Sequence, residues 1–208
     1  MTITIFTIII LIISVMVHEL SHGYMADYLG DPTARLAGRL TLNPLSHIDI
    51  WGSILVPIIT SFFGFTLGWA KPVPYNPYNL KNKRSGELLI AAAGPVSNLV
   101  IAGVFGTIVR FMMLHYGALS NSFAGSFVMI SSYIVVINIV LAIFNLIPVP
   151  PLDGSKILFS ILPQQYSKTR ATLETYGPIF ILIVVFVLWQ YVVPIIPFIF
   201  KLFTGVGM

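Results

Sequence analysis

His18, Glu19 and His22 stand in the order His-Glu-x-x-His within "SVMVHELSHGYMADYLG", residues 14–30, at the end of a run that is otherwise nearly pure hydrocarbon. On a helix, residues four apart lie on one face a turn apart, so both imidazoles can converge on one cation. Glu19 is turned about 100° from His18 around such a helix. Its carboxylate then lies beside the cation, where it can act as general base toward a water and later protonate a leaving amine. A zinc ion held there would bring the pKa of that water to roughly 7.

Two histidines leave such a site short, because a catalytic zinc takes three protein ligands and keeps one position open. The chain has no cysteine, which excludes a thiolate ligand, a disulfide and a cysteine nucleophile. Seven carboxylates are available, and Glu19 already has a role. Asp27 and Asp31, in "ADYLGDP", read as helix-end and turn residues before Pro32. Glu87 and Glu174 sit beside basic loops and read as solvated interfacial charges, while Asp49 in "NPLSHID" is a possible ligand. Asp153 is the best candidate. It caps a long apolar span in "FNLIPVPPLDGSKIL", where an unpaired carboxylate has no other reason to be.

The elements that must position these groups are membrane helices. Hydrophobic residues make up 57% of the 208, charged residues only 9%, and the mean hydropathy is +0.93. Soluble chains carry roughly 25% charged residues. Runs of about 20 apolar residues, the length that crosses a bilayer, recur at 1–24, 88–114, 123–147 and 176–200. The first run lacks a basic leader and a small-residue cleavage site, so it is expected to remain. The last should kink or end near Pro194 and Pro197. The fold class expected is an all-α, polytopic membrane helix bundle of about four spans, forming a single integral-membrane domain. The net charge of +4 comes from few basic residues lying between apolar runs, which reads as orientation signals and excludes nucleic acid as a partner.

Topology tests the choice of Asp153. If it is to meet the histidines, two crossings must separate it from the first span, so the segment 51–70 cannot be a simple third crossing. That segment contains Gly52, Pro57, Gly64 and Gly68, which favours a re-entrant or interfacial hairpin. Charge agrees independently: Arg35 and Arg39 precede the segment, and Lys71, Lys81, Lys83 and Arg84 follow it. The positive-inside rule puts both flanks, and with them Lys156, Lys168 and Arg170, in the cytoplasm. The loop 115–122 carries no Lys or Arg and lies outside.

Four ordered blocks, "HELSHG", "NPLSHID", "AAGPVSN" and "NLIPVPPLDG", resemble the site-2 protease family of intramembrane zinc metalloproteases, in a short form without a PDZ-like or sensor domain. The resemblance implies His18, His22 and Asp153 as ligands of one Zn2+ per chain, with Glu19 as the catalytic base. It also implies a hydrophobic three-helix core with the active site below the cytoplasmic membrane surface. The expected substrate is a transmembrane protein or peptide in the lipid bilayer of the cell membrane, which must unwind locally before attack. The 51–70 hairpin and the basic loop after it are candidates for a gate or edge that holds it.

Because "AAGPVSN" resembles the family's motif on the intervening span, the resemblance makes Asn98 a candidate to orient the substrate backbone or polarise its carbonyl, set against a plain helix–helix hydrogen bond. Asn145 could serve similarly, with the packing role favoured. His47 belongs to a block found in a subset of the family and is either near the site or a hydrogen-bonded structural residue. Gly23 and Gly94 should permit close helix packing, and Gly154 should relax the backbone beside Asp153. Two rivals remain: a membrane metal-binding or transport protein, which would not need Glu19, and an inactive protease-like scaffold, which would not need the complete set.

Overall fold

The computed structural model describes residues 2–55, 59, 62, 70–116, 123–163 and 166–208. Three long helices form its body: α1 (Thr2–Tyr28), and, after a short α2 (Thr33–Leu36), α3 (Lys83–Tyr116) and α4 (Phe123–Leu146). No strand occurs among the described residues. All three long helices are apolar enough to cross a membrane. At 1.5 Å per residue, the 34 residues of α3 extend about 51 Å, well beyond a hydrocarbon core of about 30 Å. Its first turns, with Lys83, Arg84 and Glu87, therefore project past the apolar layer.

Lipid offers no hydrophobic gain for bringing two apolar helices together, so close packing and hydrogen bonds must do it. The outer face of α1 shows Ile5, Phe6, Ile8, Ile9, Leu11, Ile12 and Ile13 exposed, as a lipid-facing surface should. Inside, α3 packs against both α1 and α4. The apolar core of this bundle is Ala102 on α3 with Val135 and Ile139 on α4, closed by Ile196 and Phe200 from the C-terminal end. Gly106 lets that end approach: a Cβ there would stand 2.6 Å from the Phe203 side chain.

After α4 the chain turns through residues 147–152 and enters α5 (Asp153–Ile161), α6 (Ser167–Thr175) and α7 (Gly177–Ile183), which runs on as a π-helical stretch, Val184–Leu188. It ends with α8 (Trp189–Val192) and α9 (Ile195–Thr204). The span expected at 176–200 is thus not one continuous helix. Lys168–Thr175 and Ile179–Val187 make a pair bent by 70°, and the chain breaks again before Pro194, which caps α9. Proline has no N–H to continue a helix, which accounts for the second break. Of the expected hairpin at 51–70, only the start is described, a π-helical turn at Ile50–Leu55; most of it lies outside the described residues.

One irregular segment matters to the site. Residues 70–76, "AKPVPYN", run without helix or strand between the 51–70 region and a short 3-10 turn at Pro77–Asn79. Pro72, Pro74 and Pro77 favour extended backbone on either side of themselves and remove their own donors. The N–H of Val73 is left free to serve another partner.

Candidate metal centre

Two facing stripes at helical spacing build the site. On α1, Ser14, His18 and His22 recur every fourth residue; on α3, Ile90, Gly94 and Asn98 do the same. The helices run antiparallel, so His22 meets Ile90 and His18 meets Asn98. Gly94 lies between them with no side chain. A Cβ there would stand 2.5 Å from His22 Nε2 and 2.6 Å from His18 Nε2, so only glycine admits both rings. Pro95, next in the chain, cannot donate to the Ala91 carbonyl and loosens the turn at this point.

Each imidazole is fixed from behind. His22 Nδ1–H donates to the Ile90 carbonyl at 2.6 Å, and a main-chain carbonyl can only accept. His18 Nδ1–H donates to Asn98 Oδ1, also at 2.6 Å. Both rings therefore present an unprotonated Nε2 on the opposite side. Asp153 arrives there from the first turn of α5, after α4 has brought the chain back. The two Nε2 atoms are 3.1 Å apart, and each is 3.1 Å from Asp153 Oδ2. All three side chains are buried, and they form a group able to hold a metal ion.

Three acceptor atoms at such mutual distances repel one another unless a cation lies between them. Ligands about 2.0–2.1 Å from a tetrahedral zinc stand about 3.3 Å apart, which is close to the spacing found. The donor set fits zinc. Lys156, whose Nζ is 3.3 Å from Asp153 Oδ1, favours the ionised carboxylate that a metal ligand must present. Gly154 has a different role from the one expected. Its φ is not positive, and what requires glycine is space, since a Cβ would collide with the carbonyl oxygens of Leu146 and Ile147.

Glu19 is half-buried, and its Oε2 accepts the N–H of Val73 at 3.0 Å. The extended segment that carries Val73 is fastened at both ends. Lys71 N–H donates to the His47 carbonyl at 2.9 Å, and Arg39 Nη2–H donates to the Lys71 carbonyl at 3.0 Å. At the other end, Asn76 N–H and Asn79 Nδ2–H reach the two oxygens of Asp31 at 2.6 and 2.7 Å. Asp31, read from sequence as a turn residue, is fully buried and is the anchor of this strap.

The remaining expectations fall elsewhere. Asn98 is fully buried behind His18. Asn145 is half-buried and donates to the Leu141 carbonyl one turn back. His47 is buried outside the metal-binding group, with its Nε2 2.9 Å from the Thr41 carbonyl. Asp27 pairs with Arg35, and Asp49 Oδ1 accepts the N–H of Gly52. Glu87 is buried and paired with Arg170 at 3.4 Å, contrary to the solvated charge expected, because α6 folds back over the start of α3. Sequence reasoning missed Val73 and a second buried amide, Asn138. The available signal for Asn138 was an amide in the middle of an otherwise apolar span.

A bundle of apolar helices holding two histidines, an aspartate and an adjacent glutamate within its core defines a membrane metallohydrolase. The chain belongs to peptidase family M50, the site-2 proteases, whose family model matches residues 6–188. It is 39% identical over 179 residues to "Putative zinc metalloprotease YwhC" of Bacillus subtilis, covering 86% of this chain and 78% of that protein. It is 27% identical to "Zinc metalloprotease MJ0392" of Methanocaldococcus jannaschii, over 79% of this chain but 36% of that protein. "Putative zinc metalloprotease Rip2" of Mycolicibacterium smegmatis is 25% identical over 84% of this chain and 63% of its own length. No solved structure matches the chain. The protein is an integral-membrane zinc metalloprotease, and the family works on membrane proteins in a lipid environment.

Proposed function

We propose that His18, His22 and Asp153 hold the zinc ion, and that Glu19 handles the protons, in hydrolysis of a peptide bond in or near a transmembrane segment. The observation that carries this reading is the triangle of acceptor atoms, each 3.1 Å from the others, with both Nδ1 positions committed to other partners. Zinc supplies Lewis acidity, polarising a carbonyl and making water acidic near neutral pH. Glu19 takes the proton of the attacking water and delivers it to the leaving amine. His22 lies six residues before the end of α1, about 9 Å along the helix, so the chemistry is reached from just beneath one membrane face. A helical substrate hides its carbonyls in its own hydrogen bonds and unwinds locally before attack. The metal-transport reading has no use for Glu19, and nothing in the site favours it.

The same face is cytoplasmic in this reading, and the membrane is the cell membrane. Of eleven Lys and Arg residues, only Arg110, near the far end of α3 against Gly205, and Lys201 on α9 lie away from the site's side. The test is cleavage of a transmembrane substrate by the reconstituted enzyme. Glu19→Gln should keep its zinc and lose at least about 100-fold in rate, the scale of general acid–base catalysis. Zinc retained by both forms, with a broad panel of membrane substrates left intact by the wild type, would overturn the protease assignment. Because the chain has no cysteine, a single cysteine at Lys81 can be labelled in intact cells; reaction with an impermeant reagent would reverse the orientation.

A further inference from the structure

We propose that Asn138 is a positioning residue for the metal ligand His18, acting through Asn98 along a one-way chain of hydrogen bonds. This rests on the reading of His18 as a ligand. Asn138 lies on α4, and its hydrogen bonds go to Asn98, Ser14 and Ile134 rather than to the metal-binding group or Glu19. It is fully buried, as is Asn98, and Ser14 is nearly so. In lipid no water can replace a lost partner, so each of these groups depends on the others.

The direction of the chain follows from which atoms can only accept. Asn138 Nδ2–H donates to the Ile134 carbonyl at 2.9 Å, and a main-chain carbonyl has no proton to give. Its second Nδ2–H reaches Ser14 Oγ, also at 2.9 Å. With both amide protons used, Asn138 offers its Oδ1, which takes an Nδ2–H of Asn98 at 2.8 Å. The other Nδ2–H of Asn98 points to the Ser14 carbonyl at 3.5 Å. Asn98 therefore presents Oδ1 to His18, which must carry its proton on Nδ1 and keep Nε2 open toward the metal position. If the Asn98 amide turned over, its NH2 would face His18, the proton would move to Nε2, and the ligand would be disabled. Ile134 on α4 thus dictates, three hydrogen bonds away, which nitrogen of His18 is free. Three membrane helices have to be in register for this to hold, which couples assembly of the bundle to competence of the site.

Zinc affinity in detergent, measured by competition with a chelator, is the readout, alongside helical content and cleavage. Asn138→Ala leaves the Asn98 amide free to turn and should weaken zinc about 10-fold, within the range for groups that orient a metal ligand. Asn138→Asp, protonated in this apolar setting, keeps an oxygen for Asn98 and a donor for Ile134 or Ser14. It should stay within about 3-fold of wild type, below that same range. A purely space-filling role predicts the same order, since Asp matches Asn in size; Asn138→Leu, similar in shape but with no hydrogen bond to give, separates the two, because only the amide chain predicts a loss of about 10-fold there. In an Asn98→Ala background, Asn138→Ala should add nothing further. Wild-type affinity in a folded Asn138→Ala variant, or independent and additive effects of the two substitutions, would overturn the proposal. If Asn138→Ala does not fold, the aspartate variant decides alone: a folded form that loses about 10-fold or more contradicts it. His18→Ala is the control. Undiminished zinc there would mean that the ligand assignment has failed, a result distinct from failure of the amide chain.

Discussion

The proposed ligands and the proposed base of this site are held by different kinds of structure. His18 and His22 are braced from within the helix bundle by Asn98, Asn138 and the Ile90 carbonyl, all buried where the long helices meet. Glu19 is one residue from His18, yet its partner is the backbone of a proline-rich strap outside the helices, fastened by Asp31 and Arg39. Side chains on packed helices have little freedom to shift, because several elements would have to move together. An extended segment pinned at its two ends can lift without disturbing the bundle. The cation site is thus built for permanence, whereas the base has a contact that can be exchanged. While Val73 N–H occupies Oε2, one oxygen of Glu19 is already engaged.

The largest effect should come from breaking the rigid side. In Gly94→Ala, the new methyl would meet both imidazoles at 2.5–2.6 Å, and neither ring can move without losing its partner behind. Zinc affinity should fall by at least about 100-fold, the upper range for disturbing groups around a ligand, and cleavage should fall with it. Chelator competition and metal analysis after gel filtration check this. Normal zinc content in the variant would mean that the helices yield, and the contrast between the two sides would lose its basis.

A smaller and more selective effect is expected from Val73→Pro, which removes the N–H that Glu19 accepts and is compatible with extended backbone. Zinc affinity should not change. The cleavage rate should change about 10-fold, the low end of the ~1.5–3 kcal/mol carried by one hydrogen bond to a charged group. A fall in kcat means that the strap orients the base for its work; a rise means that it holds the base back. A loss of zinc would show that the two sides are not separable.

The two sides were unequally legible in the sequence. His-Glu-x-x-His is a local pattern whose geometry follows from the helical repeat, and Asp153 stood out because a carboxylate at the end of an apolar run needs a partner. The return of the chain then called for two crossings, and α3 and α4, each long and apolar enough to cross a membrane, lie between α1 and Asp153. Asn98 was visible through the resemblance of "AAGPVSN" to a family motif, but its partner depends on the rotation of α3 against α1, which no single segment encodes. Asn138 is a harder case, since its meaning needs three helices in register. Asp31 looked like any Asp before a proline. Only the folding of residues 70–79 back over the end of α1 turns it into an anchor. Glu87 was misjudged for the same reason: its surroundings depend on where α6 comes to rest.

The smallest effect should appear at that anchor, and there pH is the probe. Asp31 is buried, which pushes its carboxyl upward, but hydrogen bonds from Thr33, Asn76 and Asn79 outweigh this and hold it below the ordinary carboxylate value. A group whose folded pKa is depressed contributes its full stability above the unfolded value, about 3.9 for Asp, and loses it as pH falls through the folded value. Asp31→Asn removes the charge and turns an NH2 toward donors that need an acceptor. At pH 7 it should lower stability by about 1–3 kcal/mol, seen as a lower thermal midpoint in detergent. As pH falls below about 4 the gap should begin to narrow, and it should close only below the depressed folded value, because protonation gives the wild type the same defect. Zinc affinity at pH 7 should be unaffected, since Asp31 touches only the strap and its neighbouring turn. If the Asn variant loses stability equally at all pH values, the carboxylate's charge is not what fastens the strap. If it also loses zinc, the strap supports the ligands as well as the base, and the division between the two sides fails at its weakest point.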